Sequence, residues 1–176
     1  PDGTPPSPGS AAAMKSDASP RCSLAWLREP ITVYLLMDLV EVELARVVIH
    51  QKGDQQFIHL RERHGPRGFP IVIGFHEVEE INRQLGAVEP PRPLTHDLVG
   101  RILIDLGHRL HRVIISEIHE GTFYATLVLV PSDKGTSTDG TEKTIDCRPS
   151  DAIALAVQTK APILVAREVF EAVAAD

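Results

Sequence analysis

The segment Thr144-Ile145-Asp146-Cys147-Arg148-Pro149-Ser150-Asp151-Ala152-Ile153-Ala154-Leu155-Ala156 limits the possible folds more than any other. It begins with the pattern of a strand, turns sharply, and continues as a helix without a polar face. A helix that is apolar all round must be covered on most of its sides. Pro149 suits the first turn of that helix, where a missing N–H costs little. Ser150 or Asp151 can accept from the free N–H groups there. Asp146, Arg148 and Asp151 therefore fall at a turn between two buried elements, where charge is costly unless it is paired or used. A second segment, Pro91-Arg92-Pro93-Leu94-Thr95-His96-Asp97-Leu98, has the same plan: an Arg-Pro step, a hydroxyl residue, an acid and a helical pattern.

The rest of the chain supplies hairpins and amphipathic helices. From Val40 to Ile49 apolar and polar residues alternate, with a slip of phase near Ala45 that a β-bulge explains. Gln51-Lys52-Gly53-Asp54 signals a turn, and Gln56 to Leu60 is the return strand. Phe69 to Gly74 reads as a short buried strand. A helix follows from Phe75 to Leu85, with Phe75, Val78, Ile81 and Leu85 on one face and Gly86 at its end. Thr95 is the expected N-cap of a second helix that carries Leu98, Val99, Ile102, Leu103 and Leu106 and is closed by Gly107. A second hairpin turns at Glu120-Gly121 and returns through Phe123 to Val130. Then come a strand from Thr144 to Cys147, a helix from Ser150 to Thr159, a strand from Pro162 to Val165 and a helix from Arg167 to Ala175.

Residues 40–85 and 111–159 share one order of hairpin, loop, short strand and helix. This repeat predicts an α+β fold: a single domain with a mostly antiparallel sheet, built from two hairpin-strand-helix half-repeats with helices packed on it. Strands that come in hairpins, without a glycine-rich phosphate fingerprint, disfavour a Rossmann-type fold.

Residues 1–36 read as a disordered or extension segment, and 37–176 as the folded domain, with Met37 opening the clean pattern. No apolar run approaches the roughly 20 residues that span a bilayer, so no membrane role is expected. Cys22 and Cys147 are far apart and read as unpaired thiols, which fits a reducing, cytoplasmic setting. The net charge of −6 lies wholly in residues 37–176, which hold 21 acids against 15 bases. That balance counts against strong nonspecific nucleic-acid binding over the whole surface, though not against a local basic groove.

Four motifs taken together resemble one family. They are Phe69-Pro70-Ile71-Val72-Ile73-Gly74, the segment Pro91 to Leu98, Gly121-Thr122-Phe123-Tyr124-Ala125, and the segment Ile145 to Ala156. In order and spacing, from about Met37 to Ala174, the chain is similar to the bifunctional nuclease domain family. One small departure is Glu77-Val78, where Glu-Ala would be expected. The resemblance implies an α+β fold, frequent homodimerisation, and nuclease activity with DNA or RNA as substrate.

Phosphodiester hydrolysis needs an activated water, charge neutralisation at the phosphate and help for the leaving oxygen. Clustered carboxylates, often with a histidine, can supply these by holding Mg or Mn ions. His96, Asp97, Asp146 and Asp151 are the catalytic candidates. Asp97, Asp146 and Asp151 are the candidate ligands of a divalent cation, with Glu77 possible beside them. Arg92 and Arg148 could clamp a phosphate bidentately. Thr95 and Ser150 sit at helix starts, where free N–H groups and the dipole favour an anion. His76, beside Glu77, is a weaker ligand candidate, and Cys147 reads as a small core hydrophobe.

The same residues also have a purely structural reading. Arg148 with Asp146 or Asp151, and Arg92 with Asp97, would then be ion pairs that fix the two turns, and Thr95 and Ser150 would be caps. No compact metal motif such as His-Glu-x-x-His is present. The functional alternative to a nuclease is thus a non-catalytic dimeric module that binds an anion or a partner and acts in regulation.

Overall fold

A computed structural model describes residues 37–50, 55–132 and 141–174. The segment 1–36 and the turn at Gln51 to Asp54 lie outside the described residues. The elements are β1 (Leu39–Val48), β2 (Gln56–Glu62), β3 (Gly68–Ile73), α1 (Phe75–Leu85), α2 (Thr95–Asp105), β4 (His108–His119), β5 (Thr122–Pro131), β6 (Lys143–Cys147), α3 (Pro149–Thr159), β7 (Ile163–Ala166) and α4 (Arg167–Ala174). No described helix is long and apolar enough to cross a membrane.

The strands form one sheet in the order β3-β2-β1-β7-β4-β5-β6. Every pairing is antiparallel except that of β4 with β7. The two half-repeats thus lie on either side of β7, each a meander whose third strand is a sheet edge. This is the α+β architecture that the repeat predicts. β1 has its register shift between Leu44 and Arg46, where the alternation slips. The β4–β5 turn has positive φ at both Glu120 (49°) and Gly121 (76°), the twist that suits a tight hairpin.

Alternation puts Ile58, Leu60, Phe69, Ile71, Val113, Ile115, Ala125 and Leu127 into one core with the buried faces of the helices. Phe69 stacks on Phe123 and meets Phe170 of α4 edge-on. α3 buries nearly all of its first two turns, from Pro149 to Ala156 apart from Asp151, as its composition requires.

Two local expectations need correction. β3 is an edge strand and only half-buried: Phe69, Ile71 and Ile73 point inward, while Pro70 and Val72 face out. Pro70 is tolerated because an edge strand need not donate on both sides. The N-cap of α2 is Leu94, not Thr95; Thr95 is its first helical residue. The cap position is met by Asp97, whose Oδ2 accepts from the Leu94 N–H at 2.9 Å. Gly86 ends α1 as expected, with ordinary helical φ, and the left-handed residue after it is Ala87.

Candidate functional site

The half-repeats bring the starts of α1 and α3 side by side, and α2 adds a third helix start. Glu77, Asp97 and Asp151 each stand third in their helices. An acid there complements the positive end of the helix dipole, so each is locally favoured. Their further partners decide what the site can do.

Arg148 is the N-cap residue of α3 and joins two of the three acids. Its Nε and Nη2 donate to Asp151 Oδ2 and Oδ1 at 2.8 and 3.0 Å. Its Nη1 donates to Glu77 Oε1 at 2.8 Å, across the seam between the half-repeats. Asp151 first, then Glu77, raises the guanidinium pKa further above its ordinary value. The Arg148 side chain is nevertheless 65% exposed. The pairing leaves one N–H on Nη1 and one on Nη2 for another anion.

His96, the second residue of α2, comes to the same carboxylate. Its Nε2 lies 3.2 Å from Asp151 Oδ1, and its Nδ1 lies 3.9 Å from Glu80 Oε1. A carboxylate only accepts, so a neutral His96 carries its proton on Nε2. The Nδ1 lone pair is beyond hydrogen-bond distance of Glu80 and is left for a water. His96, Glu77, Glu80, Arg148 and Asp151 share an open cleft of about 620 Å³ with His76, Thr95, Leu94 and Leu98.

Asp97 lies in a different network. It accepts from Arg83 Nη2 at 3.0 and 3.1 Å, Gln84 Nε2 at 3.2 Å and Gln158 Nε2 at 3.0 Å, besides the Leu94 N–H. Burial would raise its pKa, but the Leu94 N–H, Arg83 and Gln84 outweigh it and hold the carboxyl below its ordinary value. Glu80 is held low in the same way, chiefly by Arg83, which donates to it at 2.7 and 2.9 Å. Asp97 lines a second, larger cavity and not the Arg148 cleft.

The family model described as "Bifunctional nuclease domain" matches residues 58–176. The chain belongs to this family. The match begins within β2, and β1 completes the same sheet. Uncharacterized proteins from two strains of Mycobacterium tuberculosis are each 39% identical over 125 residues, which is 71% of this chain and 70% of theirs.

In this bifunctional nuclease domain, only some of the sequence-predicted residues come together. His96, Arg148, Asp151 and Thr95 meet at the cleft, joined by Glu77 and His76. Ser150, 7% exposed, lies on the other side of Arg148, where a smaller cleft of about 350 Å³ is lined by Gly74, Thr122 and Phe123. Arg92 and Asp146 join neither the cleft nor the larger cavity. Arg92 is exposed on the proline connector, and the guanidinium that meets Asp97 is that of Arg83. Asp146 is exposed on β6 opposite Thr126, and Arg148 takes Asp151 instead.

Asp97, Asp146 and Asp151 do not converge. Among the described residues, no group of three or more His, Cys, Asp or Glu side chains is placed to hold a metal ion. The oxygens of Asp97 and Asp151 are already committed to guanidinium groups, so this donor set does not fit a divalent cation. Cys147 packs against the core, and burial, then Asp146 and Asp151, pushes its thiol up to about 12. It is no nucleophile at neutral pH.

Glu80, Arg83, Gln84 and Gln158 were not singled out by sequence reasoning. The one signal was the Glu80–Arg83 spacing, which puts the pair on one helical face.

Proposed function

We propose that this chain hydrolyses phosphodiester bonds in DNA and RNA with little sequence preference, at the Arg148 cleft. The observation that carries this reading is the His96–Asp151 pair at 3.2 Å beside a guanidinium with two open donors. Phosphate oxygens would take those two N–H groups, which stabilise the charge that grows in the transition state. His96 Nδ1 would remove a proton from the attacking water. Asp151 would hold the ring through Nε2–H and stabilise the imidazolium that forms. The departing sugar oxygen, on the opposite side of phosphorus, would take its proton from water, and the imidazolium would release its own to solvent. No step is assigned to a metal, because Asp97, Asp146 and Asp151 are not gathered.

A specific observation favours the regulatory alternative. Glu77, Glu80 and Asp151 give the cleft more negative than positive charge on a chain of net charge −6. Such a cleft repels an extended polyanion. Cleavage of single- and double-stranded DNA and of RNA, with Mg²⁺, Mn²⁺ or EDTA, separates the two readings. A nuclease predicts cleavage that survives EDTA and falls about 10²–10⁴-fold in His96→Ala. A wild type that cuts nothing, or a folded His96→Ala that cuts equally well, leaves the binding module as the reading.

We also infer that the protein works as a homodimer. α2 exposes Leu98 and Ile102, and Leu94 and Leu106 at its two ends continue the stripe with a spacing of four. A run of large apolar side chains like this marks an interaction surface. Leu94 and Leu98 also border the cleft, so a second copy seated there would form part of its wall. Cys147 has no disulfide partner among the described residues, which fits a reducing cytoplasm.

A further inference from the structure

We infer that the larger cavity is a mononucleotide-binding site, separate from the Arg148 cleft and independent of whether that cleft cleaves anything. It measures about 790 Å³ and lies between α2, the C-terminal half of α3 and the start of β4. That size suits a ligand of a few tens of atoms. Its apolar floor includes Leu110 and Leu155, 7% and 3% exposed.

The mouth is basic. Arg101, Arg109 and Lys160 line it, are exposed, and have no ion-pair partner among the described residues. The lining has two carboxylates, and one of them, Asp97, is held by Arg83. Glu89 alone opposes the three cations. On a body with more acids than bases, this local excess selects an anion, and two arginines suit a phosphate better than a carboxylate-poor surface would by chance.

The floor asks for hydrogen-bond donors. His108 is 8% exposed, and its Nδ1 is 2.9 Å from the Leu106 carbonyl oxygen. A carbonyl only accepts, so Nδ1 carries the proton of the neutral ring and Nε2 is a bare acceptor. Gln158 donates its amide N–H to Asp97, which turns Oε1 away from that partner. His108 Nε2 and Gln158 Oε1 are both buried without a hydrogen-bond partner. Both residues belong to the cavity lining. Buried acceptors without donors are costly and call for an occupant. A nucleobase brings N–H donors on a flat body with apolar faces, and its phosphate extends to the arginines at the mouth. Neither acceptor has accessible surface, so the base reaches them once a side chain rotates.

Titration of the full chain with adenosine 5′-monophosphate, with inorganic phosphate alongside, tests this. The expected result is saturable binding of one nucleotide per chain, much tighter than phosphate. The double substitution Arg101→Glu with Arg109→Glu should weaken it about tenfold or more. Both positions are exposed, and thermal melting checks that the fold stands. Gly100→Leu should also weaken binding by filling the cavity, since a Cβ at Gly100 already comes 3.5 Å from Gln158 Oε1. Arg148→Ala, which removes the guanidinium of the cleft, reports any nucleotide held there instead. The inference is overturned by absence of saturable binding, by phosphate binding as tightly as the nucleotide, or by equal binding in the charge-reversed protein. Binding lost in Arg148→Ala and kept in the charge-reversed protein would also overturn it, by placing the nucleotide in the cleft.

Discussion

Arg148 and Arg83 each hold two carboxylates, yet burial gives them opposite consequences. Arg148 is 65% exposed and Arg83 16%. Lysine at 148 keeps the charge and loses the planar fork that spans Asp151 and still leaves two donors open. Arg148→Lys is therefore expected to cut cleavage about 10–100-fold while the melting temperature moves only a few degrees, because exposed pairs contribute little. Arg83→Ala would instead strand Glu80 and Asp97, 10% and 16% exposed, without their shared cation. We expect a loss of about 2–3 kcal/mol, below the roughly 3–5 kcal/mol of a fully buried pair, read from urea unfolding. The sequence could rank these residues only in part. A charged triplet between a strand and an apolar helix flags Arg148 and Asp151 as special. It does not reveal that Asp97 chooses Arg83 over Arg92, because that choice is made by how α1 packs beside α2 and α3.

Hairpins were the most legible part of the chain, since their side chains obey a period of two and their turns need particular residues. The slip near Ala45 is the observed bulge in β1, and Glu120-Gly121 is the observed turn. Gly121 has nothing within 4 Å of an added Cβ, so alanine there meets no clash and is penalised only for its φ of 76°. Gly121→Ala should then cost about 1 kcal/mol, seen as a lower urea midpoint with an unchanged slope. A larger loss would mean that the turn also packs against something. Edge position was missed because Phe69 to Ile73 is a continuous apolar run that reads as buried on both faces, although Pro70 within it is the mark of an edge strand. The N-cap of α2 was misplaced for a related reason. Thr95 has the better capping side chain, but Asp97 accepts the Leu94 N–H, so Leu94 can occupy the position.

The repeat made the architecture readable, and the same repeat explains why the site was not. Two meanders flanking β7 put the helix starts of the halves next to each other, so Glu77 and Arg148, 71 residues apart, become partners. No local pattern encodes that distance. The assembled helix starts also make stability depend on pH. Glu80 and Asp97 fall below their ordinary values of 4.5 and 3.8 on folding. On acidification the unfolded chain takes up these protons first. Their contribution is therefore complete above about pH 5 and is lost as pH falls through the lower folded-state values. Glu80→Gln with Asp97→Asn should be less stable than wild type at neutral pH and flatter between about pH 2 and 5, measured by the urea midpoint. The same construction leaves α2 on the outside, with no buried residue among Thr95 to Asp105. Glutamate at Leu98 and Ile102, 52% and 46% exposed, should leave the monomer's circular dichroism and core intact. Sedimentation should then find two copies in wild type and one in Leu98→Glu with Ile102→Glu. If the second copy walls the cleft, the variant should also show a raised KM with little change in kcat. A monomeric wild type would rule out the dimer, and a dimer unaffected by the two glutamates would place its interface on another face.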